Sequence, residues 1–228
     1  MIRVIAFDLD DTLWHVNPVI YRAERLLNEW FREQVPGFEY DMRSMGEYRD
    51  EVMKEDPDLA GRVTELRRRI IERAMARNGI ADATELSTKA MEVFLRARNE
   101  IEFFEGALEA ITEIAQDYQL GALTNGNADI HRLGLSKHFS FAFSAEDVGA
   151  PKPAPDLFHA ALEHTGCSPE EMVYVGDDPI KDIDPANAVG LKTVWLSNEL
   201  RPGPGATEPD HIIDNISELL QAIRSLDH

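Results

Sequence analysis

The feature that most constrains the fold is an alternation of helical segments with short apolar runs along the second half of the chain. The apolar runs are QLGALTN, FAFS, EMVYVGD, LKTVWL and HIID. Segments of helical character separate them, among them EGALEAITEIAQDY, PAPDLFHAALEHTG and ISELLQAIRSL. Apolar runs that alternate with helices form parallel strands joined by right-handed crossovers. We therefore predict an α/β fold with a doubly wound, Rossmann-like parallel sheet.

The N-terminal run IRVIAFDLD predicts the first strand of that sheet. It is apolar and β-branched up to its acids, which is typical of a parallel strand buried on both faces. Three carboxylates, Asp8, Asp10 and Asp11, follow directly. Two unit charges about 4 Å apart repel by roughly 4 kcal/mol at an effective dielectric of about 20. We expect a fold that gathers these carboxylates to do so around a cation.

Helical periodicity with many charges fills the region between residues 16 and 100. Its helical segments are VIYRAERLLNEWF, VTELRRRIIERAMARNGI and TELSTKAMEVFLRARN, with breaks at PGFEYD and around Pro57. A chain of 228 residues that is 43% hydrophobic can bury one core and a second, smaller one. We predict a core domain of residues 1–15 and 101–228, with a helical cap domain of residues 16–100 inserted after the first strand.

Composition narrows the classes of partner. A formal net charge of −19 argues against binding to nucleic acid or to an anionic membrane. No stretch approaches the roughly 20 apolar residues of a membrane helix, and the first residues lack the features of a leader, so we expect a cytoplasmic protein. Cys167 is the single cysteine, which excludes an internal disulfide and a multi-cysteine metal site. The segment RPGPGATEP, residues 201–209, is predicted to be a surface loop.

Further polar residues stand where later strands are predicted to end. They are Thr124 and Asn125 after QLGAL, Lys152 in GAPKPAPD, and Asp177, Asp178 and Asp182 in GDDPIKD. The ligand crevice of an open α/β sheet lies outside the carboxyl ends of its strands. Each residue also has an ordinary interpretation as a helix cap, a turn or a solvated charge. Together with the Asp8 cluster they make four such coincidences, which favours one shared site.

The motifs resemble those of the haloacid dehalogenase-like hydrolase superfamily. FDLDDT fits its D-x-D-x-T signature, Thr124 and Lys152 fit its second and third motifs, and GDDPIKD fits its acidic fourth. The helical insertion after the first motif is similar to the helical cap of one branch. The stretches FDLDDTLW, VTELRRRIIERAM and LTNGNADIHRLGL are similar to bacterial phosphatases that act on flavin mononucleotide and on phosphorylated riboflavin precursors.

The resemblance implies a phosphatase that works through an aspartyl-phosphate. In this family pattern Asp8 is the nucleophile, and Asp10 is the general acid for the leaving oxygen and then the base for water. Mg²⁺ is the implied cofactor, held by the Asp8 carboxylate, the Asp10 carbonyl and Asp177, with Asp178 contacting it directly or through water.

The remaining implied roles concern the phosphoryl group and the loop. Thr124, Asn125 and Lys152 would donate to the phosphoryl oxygens. Asp182 would position Lys152, and Thr12 would orient the catalytic loop. Asp11 has no assigned chemistry, and we interpret it as part of a local turn.

Trp14 has two open interpretations. It contacts the leaving group, where it would stack on a flavin-like ring, or it packs between cap and core. The implied partner is a small-molecule phosphate ester, and we expect a monomer or a weak homodimer.

Three alternatives remain to be weighed. The first is a nucleotide or sugar-phosphate phosphatase of the same family. The second is a haloacid dehalogenase, which would use Asp8 on carbon and would need neither Mg²⁺ nor a second acid, so that Asp10 argues against it. The third is a non-enzymatic phospho-acceptor resembling response-regulator receivers, which would leave the long helical insertion unexplained.

Overall fold

A computed structural model describes residues 1–42, 45–198, 203 and 205–227. The chain divides into two compact units, Met1–Val16 with Glu102–His228, and Asn17–Ile101. Of the predicted loop at 201–209, residues 201, 202 and 204 lie outside the described residues, and residues 205–209 belong to no helix or strand.

The helical region contains α1 (Val16–Gln34), α2 (Gly46–Glu55), α3 (Val63–Arg77) and α4 (Ala83–Arg98). Helix α1 buries Val19, Ala23, Leu27 and Phe31, four residues apart, as an amphipathic helix does. The sequence did not single out α2, because GEYRDEVMKE buries only Val52 and so lacks an apolar stripe. Helix α3 packs against both α2 and α4, which closes a separate hydrophobic core.

The other unit contains a six-stranded sheet. Its strands are β1 (Val4–Phe7), β2 (Gln119–Thr124), β3 (Phe139–Ser144), β4 (Met172–Gly176), β5 (Lys192–Leu196) and β6 (His211–Ile213). Their order is β3-β2-β1-β4-β5-β6, and every neighbouring pair is parallel. In this register Ile5 of β1 lies between Leu120 of β2 and Val173 of β4. The predicted doubly wound α/β fold is confirmed.

Helices cover the sheet and explain why its central strands read as unbroken apolar runs. These helices are α5 (Ala107–Ile114), α6 (Ala145–Val148), α7 (Asp156–Thr165), α8 (Asp184–Val189) and α9 (Leu219–Leu226). Helix α7 packs against β2 and β3, α8 against β5, and α9 against α5, β5 and β6. Every residue of β1 and β4 is buried, as in parallel strands covered on both faces.

The position of β1 and β4 determines where a ligand can bind. They are neighbours at the centre of the sheet, and the chain proceeds from them toward opposite edges. This reversal of strand order opens a crevice at the carboxyl ends of the two strands. Asp8 follows β1 there, and Asp177 follows β4.

Among the helices of the described residues, none combines the length and the apolar character of a membrane span.

Candidate active site at the carboxyl ends of the central strands

The loop after β1 is a tight turn that fixes Asp8. The Asp8 N–H donates to the Val175 carbonyl at 2.8 Å, which extends the β1–β4 ladder by one residue. The Leu13 N–H donates back to the Leu9 carbonyl at 2.9 Å, so the chain reverses at once. Asp11 supplies the required left-handed backbone at φ 61°, a conformation that aspartate tolerates better than most residues. Its carboxylate accepts from the Val16 N–H at 2.9 Å, which is the local turn role expected of it.

Lys152 is the centre of the site's hydrogen bonding. Its ammonium Nζ lies 2.7 Å from Oδ1 of Asp8, 2.6 Å from Oδ1 of Asp182 and 2.6 Å from the Tyr174 hydroxyl. Lys152 is 3% exposed, Asp8 7% and Asp182 1%. Charge-assisted hydrogen bonds of this kind are strong in a poorly solvated site, so the three side chains hold one another in fixed positions.

Burial and charge shift the pKa values of this cluster. Burial raises the pKa of Asp8 from 3.8 to about 7, although Lys152 opposes the shift. Burial alone lowers the pKa of Lys152, but the Asp182 and Asp8 carboxylates outweigh it and leave that pKa above its usual value. Burial, with the charges of Asp182 and Asp8, raises the pKa of Tyr174 well above its usual value. At neutral pH the lysine is therefore charged and the tyrosine neutral, while Asp8 needs a further cation to be fully ionised.

Gly176 allows Asp182 to fold back into the site. A Cβ at Gly176 would lie 2.5 Å from both Cβ and Cγ of Asp182, closer than real Cβ atoms approach other atoms. Oδ2 of Asp182 accepts from the Asp178 N–H at 3.0 Å, while its Oδ1 faces Lys152. Both oxygens of Asp182 are thus engaged within the protein.

Asp177 lies on the other side of Asp8. The Thr12 hydroxyl lies 3.4 Å from Oδ2 of Asp8 and 3.4 Å from Oδ1 of Asp177, so one hydroxyl proton bridges two carboxylates. Asn198 donates to Oδ2 of Asp177 at 3.3 Å, and the Trp195 indole donates to its backbone carbonyl at 3.0 Å. These contacts help to fix Asp177 in position.

The donor set fits a hard divalent cation. Carboxylate oxygens of Asp8, Asp177 and Asp182 lie within 4.8 Å of one another, and all three residues are buried. Lys152 supplies one positive charge against these three negative ones. Mg²⁺ prefers such oxygen ligands and retains water in its remaining positions. Metal binding by the Asp8 carboxylate, the Asp177 carboxylate and the Asp10 carbonyl stays a prediction.

Thr124 and Asn125 lie where predicted, at the end of β2, but the Asn125 side chain has a different partner. Its Oδ1 accepts from the Lys152 N–H at 2.7 Å, and its Nδ2 donates to the Lys152 carbonyl at 2.9 Å. This two-point contact fixes the backbone that carries Lys152. The Thr124 hydroxyl accepts from the Gly126 N–H at 3.0 Å. Phosphate binding by Thr124 and Asn125 stays a prediction.

Asp10 and Trp14 form a second pair in the loop. The Trp14 indole N–H donates to Oδ1 of Asp10 at 2.9 Å. Trp14 is 0% exposed and packs edge-on against Phe103, with ring centroids 5.9 Å apart. A ring without exposed surface does not stack on a ligand in this conformation. Phe103 belongs to the same unit as Trp14, so packing of Trp14 between cap and core stays a prediction.

Asp178 caps the turn that follows it. Its Oδ1 accepts from the N–H groups of Ile180 and Lys181, at 3.0 and 3.1 Å. Lys181 also forms an ion pair with it at 3.5 Å. Among the described residues the candidate metal cluster does not include Asp178, so direct contact with a metal has no support here.

A cavity of about 180 Å³ is lined by residues that include Lys152, Asp8, Asp182, Lys181 and Val16. Sequence analysis missed four residues that lie against these or other lining residues: Tyr174, Gly176, Trp195 and Asn198. Only Tyr174 carried a signal, because it places a hydroxyl in the middle of the otherwise apolar run MVYVG.

Comparisons with known proteins agree with this geometry. The family model of the haloacid dehalogenase-like hydrolases matches residues 2–190. The chain is 31% identical over 201 residues to the Escherichia coli (strain K12) 5-amino-6-(5-phospho-D-ribitylamino)uracil phosphatase YigB, covering 87% of this chain and 84% of that protein. It is 30% identical over 239 residues to a glyceraldehyde 3-phosphate phosphatase of Methanopyrus kandleri, covering 99% of each. The crystal structure of a 2-haloacid dehalogenase from Pseudomonas syringae pv. Tomato DC3000 matches with a TM-score of 0.94 and 36% identity, covering 99% of each chain.

Proposed function

Because this chain belongs to the haloacid dehalogenase-like hydrolases, we propose that it is an Mg²⁺-dependent phosphatase that hydrolyses a small-molecule phosphate monoester. The observation that carries the proposal is the buried cluster in which Asp8 lies between Lys152 and Asp177. A nucleophile that attacks an anionic phosphoryl group needs cations beside it to offset the charge. A buried carboxylate with a pKa raised to about 7 needs such cations in any case.

The first step transfers the phosphoryl group to Asp8. An oxygen of the Asp8 carboxylate attacks phosphorus, the bond from phosphorus to the ester oxygen breaks, and the leaving oxygen takes the proton of the Asp10 carboxyl group. Lys152 donates a hydrogen bond to the phosphoryl oxygens, on which negative charge develops. When bound by Asp8 and Asp177, Mg²⁺ would supply additional charge neutralisation at the phosphoryl oxygens.

The second step releases phosphate. The Asp10 carboxylate takes a proton from water, the water oxygen attacks phosphorus, and the bond from Asp8 to phosphorus breaks to return the carboxylate. Trp14 supports both steps, since its hydrogen bond orients the Asp10 carboxylate. A general acid or base of this kind is typically worth about 10² to 10⁴ in rate.

A dehalogenase is the second candidate, favoured by the 36% identity to the Pseudomonas syringae enzyme. Asp8 would then attack carbon and displace a halide, and water would hydrolyse the resulting ester. Halide leaves as a stable anion, so this reaction needs no proton from Asp10 and no cation beside Asp177. The presence of the Asp10 and Asp177 carboxylates, together with the phosphatase names of the curated relatives, favours phosphate esters as substrates.

The substrate is proposed from the resemblance to the riboflavin-precursor phosphatase. We propose a phosphorylated ribityl compound, 5-amino-6-(5-phosphoribitylamino)uracil or flavin mononucleotide, as the first class to test. The burial of Trp14 removes one argument for flavin stacking, so this choice depends on the relative alone. Nucleotides and sugar phosphates are the competing substrates.

The test compares two reactions in one preparation. We expect para-nitrophenyl phosphate to be hydrolysed with Mg²⁺ and not with EDTA, and 2-chloropropionate to release no chloride under either condition. Asp8→Asn should abolish the hydrolysis. Chloride release in EDTA together with inert phosphate esters would establish the dehalogenase instead. The kcat/KM values of the two ribityl phosphates, of nucleotides and of sugar phosphates then test the ribityl proposal, which equal values for all of them contradict.

A further inference from the structure

Tyr174 is a fully buried tyrosine whose hydroxyl reaches the catalytic lysine. It is the third residue of β4, on the sheet face that packs against α7, and it is 0% exposed. Its ring packs edge-on against Phe158 with centroids 4.9 Å apart. A phenylalanine would satisfy this packing equally well, so the hydroxyl needs a separate explanation.

The ammonium of Lys152 uses all of its protons within the protein. An ammonium group has three N–H donors. Its three acceptors are Asp8, Asp182 and the Tyr174 hydroxyl, at 2.7, 2.6 and 2.6 Å. For Lys152 to donate to a phosphoryl oxygen, one of these hydrogen bonds must be released.

The direction of the tyrosine hydrogen bond follows from the chemistry of the pair. An ammonium has no acceptor, so the Tyr174 oxygen accepts from Lys152 and its own proton goes elsewhere. The Leu123 carbonyl and Oδ1 of Asp182 are the available acceptors, each 3.2 Å away. Leu123 belongs to β2, which lies on the far side of β1 from β4, so Tyr174 links the lysine to two strands of the sheet that are not neighbours.

We propose that Tyr174 is a positioning residue that, with Asp182, holds the Lys152 ammonium in place while Asp8 changes from carboxylate to acyl phosphate. This inference rests on the proposed phosphatase function. On phosphorylation Asp8 loses the charge that attracts Lys152, and the N–H that served Asp8 becomes available to the phosphoryl group. Asp182 and Tyr174 do not change in that step, so they keep the ammonium oriented. Tyr174 is neutral, so it adds no negative charge to those of Asp8 and Asp182 beside Lys152. The positive charge of Lys152 therefore stays available to the phosphoryl oxygens.

The test replaces Tyr174 with phenylalanine, which keeps the ring and removes the hydroxyl. Because the missing hydrogen bond matters most once Asp8 is phosphorylated, we expect kcat for para-nitrophenyl phosphate to fall about tenfold and KM to change less than about twofold, the size of effect that one charged hydrogen bond supports. Tyr118→Phe is the matched control. It also removes a tyrosine hydroxyl that contacts a carboxylate, Oδ2 of Asp227 at 3.4 Å, but at the amino end of β2. An unchanged kcat in Tyr174→Phe, or equal losses in both variants, overturns the proposal.

A binding measurement tests the inference without requiring turnover. Beryllofluoride with Mg²⁺ mimics an acyl phosphate, and its binding can be followed by tryptophan fluorescence, because Trp195 donates to the Asp177 carbonyl beside the site. We expect Tyr174→Phe to weaken beryllofluoride binding about tenfold and orthophosphate binding less, since orthophosphate leaves the Asp8 carboxylate intact. Equal weakening of both ligands contradicts the proposal.

Two further outcomes keep the result unambiguous. If Tyr174→Phe does not fold, 3-fluorotyrosine at position 174 is the substitute, because it keeps the ring and weakens the hydroxyl as an acceptor. We then expect a loss of kcat smaller than that of Tyr174→Phe, with unchanged KM. Full wild-type kcat in the fluorotyrosine variant overturns the inference. If the wild-type protein neither hydrolyses para-nitrophenyl phosphate nor binds beryllofluoride, the proposed function fails, and this inference fails with it. If the wild type does both and Tyr174→Phe equals it, only the inference fails.

Discussion

The indole N–H of Trp14 donates a 2.9 Å hydrogen bond to Oδ1 of Asp10, so the tryptophan orients the proposed acid and base of the reaction. Trp14 is completely buried and packed against Phe103. Its contribution is therefore expected in the proton-transfer steps and not in the choice of substrate.

Trp14→Phe tests that assignment. We expect kcat to fall about tenfold for alkyl phosphates, whose leaving oxygen needs a proton, and to fall less for para-nitrophenyl phosphate, whose leaving group is stable as an anion. KM and the ranking of the alkyl phosphates among themselves should not change. Trp30→Phe, partly buried against the core of the helical unit, controls for the loss of ring volume. A changed ranking among the alkyl phosphates would show that Trp14 contacts the substrate after all.

The raised pKa of Asp8 predicts how pH affects the metal-free protein. The folded state keeps the Asp8 proton up to about pH 7, whereas the unfolded chain releases it near 3.8. This contribution to stability is present below pH 3.8 and is lost as the pH rises through about 7. We expect Asp8→Asn to remove that loss, so that the melting temperatures of the metal-free variant and wild type diverge as the pH rises from 3.8 to about 7 and keep a constant separation above it.

Mg²⁺ binding should offset the stability that the metal-free protein loses as Asp8 ionises. The ion needs the ionised carboxylate, so its apparent affinity is expected to fall about tenfold per pH unit below about 7. The measurement is the rise in melting temperature with Mg²⁺ concentration at a series of pH values, which does not depend on turnover. The rise should be large at pH 8, small at pH 5.5 and much reduced in Asp8→Asn. A pH-independent rise would place the ion elsewhere.

Gly176→Ala should disable the site through Asp182. The added Cβ would lie 2.5 Å from Asp182 Cβ and Cγ, and no flexible chain end is available to move aside. Asp182 would be displaced from Lys152, so we expect kcat to fall by about tenfold or more and the melting temperature to drop. Gly46→Ala is the control, since nothing lies within 4 Å of a Cβ there and the residue opens α2. Equal behaviour of the two variants would mean that the close approach at Gly176 has no role.

The strands and their parallel arrangement could be predicted because each central strand is buried on both faces and reads as an apolar run. The grouping of Asp8, Thr124, Lys152, Asp177 and Asp182 could be predicted too, since each lies at the carboxyl end of a strand of one sheet or in the connection that follows it. The order of the strands could not, because nothing in the local pattern of β3 or β6 identifies its neighbour.

The contacts that orient the site required the structure. Asn125 was expected to donate to phosphate, which stays a prediction, and its side-chain amide contacts the Lys152 backbone. Tyr174 looked like part of the core, and its hydroxyl is the third partner of the lysine. In both cases residue type and spacing predicted the neighbourhood, while the partner depended on side-chain directions that only the folded chain defines.

The most direct measurement is mass-spectrometric identification of the phosphorylated residue in Asp10→Asn, quenched during turnover of para-nitrophenyl phosphate with Mg²⁺. Without a base for water the intermediate should accumulate, because its leaving group needed no proton to depart. We predict one phosphoryl group, located at Asp8 by fragmentation of the N-terminal peptide, and none in Asp8→Asn. Phosphorylation at another residue, or undiminished Mg²⁺-dependent hydrolysis by Asp8→Asn, would contradict catalysis through an aspartyl-phosphate at Asp8.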